Sequence, residues 1–332
     1  MIINSIKEGI KKGLRTAVFL LKIMLPIYIG VTILRHTEFF AWLAERIEPG
    51  MKIFSLPGEA VIPIIAGLFA DEYAVVAAMS GFTFTAAQAT IIAMVTLAFH
   101  SIPVETVITR QIGMPVLHIS LFRVGFAVFT GFVIAYLTAV FLGGDLPGFS
   151  AEASSVVTDS GAAPVSSGVF NTGWDVILSE IGWGALNTTL NLLKVLIPVM
   201  IAIELMLAYR VIEAMAKKMG FFCRILGIGN EALLPLLVGL FFGVAYGAGA
   251  LVELNRIRPL PPRDMLLLGV FLFSCHGIIE TTYLYAIAGA DVIFLSVVRF
   301  GIAIGVTAAA ARLLRLKKGS VSGEQNYAEH KN

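Results

Sequence analysis

A small set of ionisable and metal-ligating side chains lies inside otherwise apolar stretches of this sequence. The set consists of Glu59, Asp71, Glu72, His100, Glu105, Glu231, His276 and Glu280, with Lys22 and Lys194 nearer the ends of their apolar runs. An ionisable group inside a membrane helix is costly, so its first interpretation is functional. Carboxylates and imidazoles together can bind a polar solute or a cation, or relay protons. The sequence therefore predicts a polar site buried among apolar helices.

The composition places these groups in an integral membrane protein and excludes an ordinary soluble enzyme. Of the 332 residues, 58% are hydrophobic and 14% are charged, against about 25% charged in a soluble domain. At about 20 residues per spanning helix, the apolar residues suffice for about six to nine spans. The net charge of +2 does not favour nucleic acid as a partner. Cys223 and Cys275 are the only cysteines, too few for a disulfide framework or a structural zinc site.

The second half of the chain repeats the polar residues of the first half in the same order. The run LRTAVFLLKIMLPIYIG from Leu14 aligns with LNTTLNLLKVLIPVMIA from Leu186, and GEAVIPIIAGLF aligns with NEALLPLLVGLF. The matched pairs are Lys22 with Lys194, Pro26 with Pro198, Glu59 with Glu231, His100 with His276, Glu105 with Glu280, Thr106 with Thr281, and Arg123 with Arg299. Chance similarity between leucine-rich helices would not align these residue types. The pattern indicates an internal repeat.

The positions of Lys and Arg predict the topology. Short segments rich in these cations stay in the cytoplasm, and a basic cluster at residues 7–15 places the N-terminus there. No Lys or Arg lies between Arg123 and Lys194, which places the central linker outside, and residues 312–318 are basic again. Three crossings per half then put the two halves in opposite orientations.

We therefore predict an all-α integral membrane protein, an inverted repeat of two three-span halves, each with an interfacial helix and a re-entrant hairpin. The predicted boundaries are 1–142 for the first repeat, 143–185 for an extracytoplasmic linker and lead-in, 186–316 for the second, inverted repeat and 317–332 for a disordered cytoplasmic tail. The hairpins are the interrupted runs 58–79 and 230–252, turning near residues 70–72 and 243–249. Irregular backbone at membrane depth needs cover by protein or a water-filled cavity, so the hairpins indicate a midplane site.

Two broken helices carry the strongest candidates for that site. His276 and Glu280 are four residues apart, a spacing that puts two side chains on one helix face, with Cys275 beside them. His100 and Glu105 are five apart, with a proline between them that breaks the helix. Backbone groups freed at such breaks act as ligands in many secondary transporters.

The predicted substrate-binding or ion-binding residues are Glu105, Glu280, His100, His276, Thr106, Thr281, Glu72 and Asp71. His, Glu and Cys side chains also suit a transition metal, with His276, Glu280 and Cys275 as candidate ligands, although no motif such as HExxH marks a fixed centre. A hydrogen bond that caps a hairpin and neutral packing histidines remain open alternatives. Glu59 and Glu231 begin half-helices, where a carboxylate stabilises the helix dipole. No resident cofactor is expected.

The motifs GEAxxPxxxGLF and NEAxxPxxxGLF, each with an interfacial helix, a broken helix and a further span, resemble the Gate, or nucleoside-recognition, domain family. That family includes the spore maturation membrane proteins and the permease part of the FeoB-type ferrous iron transporters, and concentrative nucleoside transporters share its architecture. The run GLFADEYAVVAAM from Gly67 is similar to the Gly-Phe-x-Ala-Lys-Glu pattern of the iron permeases, with Asp71 in place of Lys. Glu105 and Glu280 resemble the Glu of a later broken helix that holds the nucleoside. The resemblance runs from about Leu14 to Leu314 and implies the architecture.

The leading hypothesis is a transporter rather than an enzyme. It moves a small polar solute, nucleoside-like or another small organic molecule, or an ion through the midplane site by alternating access, ion-coupled or passive. The alternatives are a divalent metal cation permease, a non-transporting scaffold of the spore maturation type and, less well supported, an intramembrane metallohydrolase. We expect a multi-pass protein of the inner (plasma) membrane with both termini cytoplasmic. Its expected partners are lipid and the substrate, without nucleic acid, and homo-oligomerisation stays open.

Overall fold

The computed structural model describes residues 2–111, 116–141, 174–243 and 260–329, and these are helical without a β-strand. The helices are α1 (Ile2–Arg35), α2 (Glu38–Lys52), α3 (Val61–Phe69), α4 (Glu72–Met79), α5 (Ala86–Phe99), α6 (Ile102–Gln111), α7 (Val116–Phe141), α8 (Trp174–Ala208), α9 (Val211–Lys218), α10 (Gly220–Leu226), α11 (233–243), α12 (Pro262–Ser274), α13 (Glu280–Leu284) and α14 (Val292–Glu329). Short 3₁₀ turns, Gly58–Ala60 and Asn230–Ala232, precede α3 and α11. The chain is thus an all-α protein, as predicted.

Within the described ranges, three helices are long and apolar enough to cross a membrane: α7, α8 and the part of α14 at Val292–Leu314. Two bent pairs raise the number of candidate spans to five. One is α1, with a bend of 40° between Ile2–Phe19 and Met24–Leu34, and the other joins α10 to Asn230–Gly243 at 108°. The chain is a multi-pass membrane protein, and the count of six crossings stays a prediction.

The first helices of the two repeats, α1 and α8, pack against each other in antiparallel directions. Lys12 near the start of α1 pairs with Glu204 near the end of α8. His36, just after α1, meets Glu180 near the start of α8, with 3.0 Å between Nε2 and Oε2. An inverted repeat requires such a crossing of matched helices, and the orientation of the halves in a membrane stays a prediction.

The close approach of α1 and α8 depends on glycine. A Cβ atom added at Gly184 would lie only 1.6 Å from the hydroxyl oxygen of Tyr28, and one added at Gly9 would lie 2.7 Å from Cα of Ile201. By contrast, a Cβ at Gly182, two residues before Gly184, would meet no atom within 4 Å. The contact therefore leaves no room for a Cβ atom at Gly9 or Gly184, but leaves room for one at Gly182.

The first predicted hairpin corresponds to α3 and α4, which are separated by residues 70 and 71. Asp71 caps α4, because its Oδ1 accepts a hydrogen bond from the backbone N–H of Ala74 at 2.9 Å. The two helices touch closely, since a Cβ at Gly67 would lie 2.8 Å from a methyl group of Val75. The break falls where the sequence predicts it, and its depth in the membrane stays a prediction.

The second predicted hairpin is described only in its first arm, α11. The predicted tip at residues 243–249 lies outside the described residues except for Gly243, which has a φ of +77°. The linker is likewise described only from Trp174, where α8 begins. The structure describes α14 as far as Glu329. The disordered cytoplasmic tail from residue 317 stays a prediction.

The two predicted helix breaks contain matching backbone contacts. Between α5 and α6, Ser101 has a φ of +50°, and its N–H donates to the carbonyl of Gly67 at 2.9 Å. Between α12 and α13, Gly277 has a φ of +57°, and its N–H donates to the carbonyl of Gly239 at 3.2 Å. Gly67 and Gly239 are matched positions of the sequence repeat. In each half, the break thus contacts the first arm of the predicted hairpin in the same way.

Two details of the predicted breaks are wrong. Pro103 does not cause the first break, because it lies in the first turn of α6, where its missing N–H costs nothing. His276 and Glu280 do not share a helix face, because α12 ends at Ser274 and α13 begins only at Glu280. The left-handed backbone at Gly277 redirects the chain between them.

Candidate functional site

The imidazoles of His100 and His276 meet where the two broken helices meet. Their ring centroids are 5.2 Å apart, and each residue is only 3% exposed. His100 follows the last turn of α5, and its N–H donates to the carbonyl of Thr96. His276 lies in the second break, and its Nδ1 is 2.8 Å from the carbonyl of Leu272. The breaks therefore place one histidine from each half in a single buried cluster.

Glu105 connects this histidine pair to a buried arginine. Its Oε2 lies 2.6 Å from Nη2 of Arg123 on α7. Its Oε1 lies 3.4 Å from Nε2 of His276 and 3.6 Å from Nε2 of His100. Arg123 also donates to the backbone carbonyl of His100, which fixes the guanidinium against the break. One carboxylate therefore neutralises a guanidinium and presents its other oxygen to both imidazoles.

Glu280 has a different partner from its matched residue Glu105. The hydroxyl of Tyr73 on α4 donates to Oε1 of Glu280 at 2.6 Å. The neighbouring residue of α4, Glu72, places Oε2 3.3 Å from Nε2 of His100. The first hairpin therefore contacts both broken helices, one in each half.

Arg299, the counterpart of Arg123, has no ion pair with a carboxylate of the residues that the structure describes. It is 1% exposed, and its Nε and Nη1 donate to the Ser274 carbonyl at 3.2 Å and to the Thr282 hydroxyl at 3.1 Å. Its Nη2 has no hydrogen-bond partner among the residues that the structure describes. The two halves thus share residue types and differ in the pairing of their charges.

The remaining predicted site residues have separate places. Asp71 caps α4, and Thr281 donates from its hydroxyl to the Gly277 carbonyl at 2.9 Å, so both stabilise backbone breaks. Thr106 is half-buried on α6. Cys275 is a buried free thiol at the end of α12. Within the described ranges, the group that could share one metal ion is His100, Glu105 and His276, without Cys275 or Glu280.

Sequence reasoning missed Tyr73, Tyr285, Arg123 and Arg299 as site residues. Tyr285 is fully buried, and its hydroxyl lies 2.7 Å from that of Thr96. The signal for the arginines was present, because both are charged residues inside apolar runs at matched positions of the repeat. For the tyrosines, the only signal was their position in the sequence. Tyr73 lies in the first predicted hairpin, and Tyr285 follows the second break.

A cavity of about 250 Å³ opens at the end of α4 opposite Glu72. Its lining includes polar side chains of α4 and α8, namely Ser80, Asn187, Thr188 and Asn191. The turn of residues 286–289, beyond α13, forms another wall. The cavity therefore borders the same hairpin and the same broken helix as the buried cluster.

Two comparisons with known proteins identify the family of this chain. The family model described as Gate, nucleoside recognition, matches residues 17–115 and again residues 189–291, together more than half of the chain. The chain belongs to the Gate family. Because one model matches both halves of this Gate protein, the comparison also supports the internal repeat.

A curated relative of this Gate protein is the uncharacterized membrane protein YvoD of Bacillus subtilis (strain 168). The two are 28% identical over 317 residues, which cover 96% of this chain and 97% of the relative. No solved structure matches. The geometry of the Gate repeats described above therefore carries the functional argument.

Proposed function

We propose that this Gate-family protein transports a small polar solute or ion across the plasma membrane through the cluster between its two halves. The observation that carries the proposal is the contact of His100 with His276, surrounded by buried carboxylates and guanidinium groups from both halves. Ionisable groups buried in a membrane protein are expensive, and they mark substrate or ion pathways. Nothing about packing alone requires so many charges at one place.

The contacts across the cluster suit alternating access. In inverted-repeat transporters, one half rocks against the other around a central site. Here Glu105 is paired with Arg123. Glu280 instead accepts a hydrogen bond from Tyr73, and Arg299, the counterpart of Arg123, is free of a carboxylate partner in the described ranges. Exchange of these pairings between the halves would give a second state with the opposite side open. The two similar halves then have unequal conformations in each state.

The cavity at the end of α4 gives this mechanism an entrance. Its amide and hydroxyl groups, from Asn187, Asn191 and Ser80, can replace water around a polar solute. Movement of α4 would connect the cavity to Glu72 at the other end of the helix. Passive or ion-coupled transport fits this route, with both termini of the chain in the cytoplasm.

The test is uptake into proteoliposomes that contain the purified protein. A panel of nucleosides, small organic anions and cations would identify the solute, and Glu105→Gln and Glu280→Gln should each lower its flux at least tenfold. Glu45→Gln on the exposed side of α2 makes the same chemical change away from the cluster. We expect that variant to keep wild-type flux.

Three results would contradict the proposal. One is wild-type flux in both cluster variants, and another is an equal loss of flux in Glu45→Gln. The third is a folded protein that moves no solute of the panel and gains no thermal stability from any of them. That last result would favour a membrane scaffold that acts through a partner.

A further inference from the structure

We propose that His100, Glu105 and His276 bind one divalent transition-metal cation. This assignment deepens the proposed function, because it names the class of ion that binds in the central site. It rests on the proposed function only for the claim that the bound ion is transported. The ligand atoms of the first three residues all lie within 4.8 Å of one another, and all three residues are buried.

The hydrogen bonding of His276 leaves a lone pair directed at Glu105. Because Nδ1 of His276 faces the carbonyl of Leu272 at 2.8 Å, that nitrogen must carry the proton and donate it. In the neutral ring, Nε2 is then an acceptor, and it lies 3.4 Å from Oε1 of Glu105, which is also an acceptor. Two buried acceptors at this distance repel each other unless a cation lies between them.

The spacing of the ligand atoms suits a metal ion. Metal–ligand bonds of about 2.0–2.1 Å in a tetrahedral site place neighbouring ligand atoms about 3.3–3.5 Å apart. The observed separations from Oε1 of Glu105 are 3.4 Å to His276 and 3.6 Å to His100. Oε2 of Glu72 is 3.3 Å from Nε2 of His100 but lies outside the group of three whose ligand atoms are within 4.8 Å of one another, which leaves the fourth position to water or the solute.

The surroundings of His276 and Glu105 match those of metal ligands. A ligating histidine usually donates its other ring nitrogen to a carbonyl, as His276 does to Leu272, and a ligating carboxylate is usually hydrogen-bonded or paired in turn. Glu105 meets this pattern, because Arg123 holds Oε2 and leaves Oε1 for the metal. Two imidazoles with carboxylate oxygens favour Zn²⁺, Fe²⁺, Co²⁺ or Mn²⁺ over Mg²⁺ or Ca²⁺.

The charges of the cluster also admit a cation. Of the three carboxylates, Glu105 pairs with Arg123, whereas Glu72 contacts His100 and Glu280 accepts from Tyr73, without an arginine partner for either in the described ranges. Burial without such a counter-ion is costly for a carboxylate.

The test is metal binding by the full chain in nanodiscs after treatment with a chelator. Calorimetric titration with Zn²⁺ should show one site per chain, and Co²⁺ should give the visible absorption of a tetrahedral nitrogen–oxygen site. His276→Gln should weaken Zn²⁺ binding by more than about 100-fold, since even the loss of an outer-shell partner costs about 10–100-fold. His118→Gln, an exposed histidine on α7, is the matched control and should bind as the wild type does.

The assignment is overturned if the wild type binds neither Zn²⁺ nor Co²⁺, since a proton then provides the positive charge between the acceptors. It is also overturned if His276→Gln and His100→Gln bind Zn²⁺ as tightly as His118→Gln, or if Mg²⁺ competes equally. Uptake of Zn²⁺ into proteoliposomes separates the two proposals. Binding without flux of any solute contradicts transport and keeps the metal site, whereas flux of another solute without metal binding contradicts only the metal site.

Discussion

The imidazole rings of His100 and His276 lie 5.2 Å apart, centroid to centroid, in the contact between the two halves of the chain. They occupy matched positions of the repeat. The proposed rocking of one half against the other would therefore act on this pair and on the carboxylates around it.

Tyr73→Phe tests the link between the first hairpin and the second half. The change removes the donor at 2.6 Å from Oε1 of Glu280 and leaves a buried carboxylate short of one hydrogen bond. We expect the free energy of unfolding to fall by about 0.6–1.7 kcal/mol, as for other hydrogen bonds between membrane helices. Tyr283→Phe, at a residue that is 41% exposed, is the control in the same denaturant titration. Equal loss in both variants would contradict the assigned contact.

Arg123→Gln and Arg299→Gln test the unequal pairing of matched residues. Loss of Arg123 leaves Glu105 as an unpaired buried charge, which costs about 3–5 kcal/mol. Loss of Arg299 removes a buried guanidinium that has two hydrogen bonds and no carboxylate within ion-pair distance in the described ranges, so the destabilisation should be clearly smaller. Thermal unfolding in detergent measures both. A larger loss in Arg299→Gln would refute the pairing scheme.

Gly184→Ala tests the crossing of α1 and α8. The added Cβ would overlap the hydroxyl oxygen of Tyr28, so the tyrosine ring or the helices must shift, at a cost of about 1–3 kcal/mol. Gly182→Ala adds the same methyl group where no atom lies within 4 Å and should leave the melting temperature unchanged or slightly higher. If the two variants melt alike, the close contact of the first helices is wrong.

Gly277→Ala tests the second helix break. The residue has a φ of +57°, which costs a residue with a Cβ about 1–2 kcal/mol, and the new Cβ would also lie 2.9 Å from a methyl group of Thr281. Gly301→Ala on α14 meets no atom within 4 Å and serves as the control. We expect a lower melting temperature and weaker flux only in Gly277→Ala. Unchanged stability in that variant would mean that the backbone there is not left-handed.

The positions of the helix breaks could be predicted because they depend on local residue types. Glycine, serine and a helix cap are visible in the sequence, and the repeat shows one break in each half, at Ser101 and at Gly277. The repeat also aligned His100 with His276, the two histidines that meet in the cluster. The direction of the chain after Gly277 could not be predicted, because a left-handed φ depends on the contact with Gly239 in the neighbouring hairpin.

The partners of the buried charges could not be read from the sequence. Because the repeat gives Glu105 and Glu280 the same neighbours in alignment, it predicts the same partner for both. In the structure, one carboxylate pairs with Arg123 and the other accepts from Tyr73. Which partner each takes depends on how the halves pack, and not on the residue types within one half.

The most direct test of the central claim is the accessibility of the cluster from the two sides of the membrane. Glu72→Cys, with Cys223 and Cys275 changed to Ser, places a single thiol next to His100. Membrane-impermeant thiol reagents are added to one side or the other of oriented vesicles, and a melting curve confirms that the variant is folded. Transport through the cluster predicts labelling from each side, with rates that the solute changes in opposite directions. Labelling from neither side, or from one side alone, would contradict it.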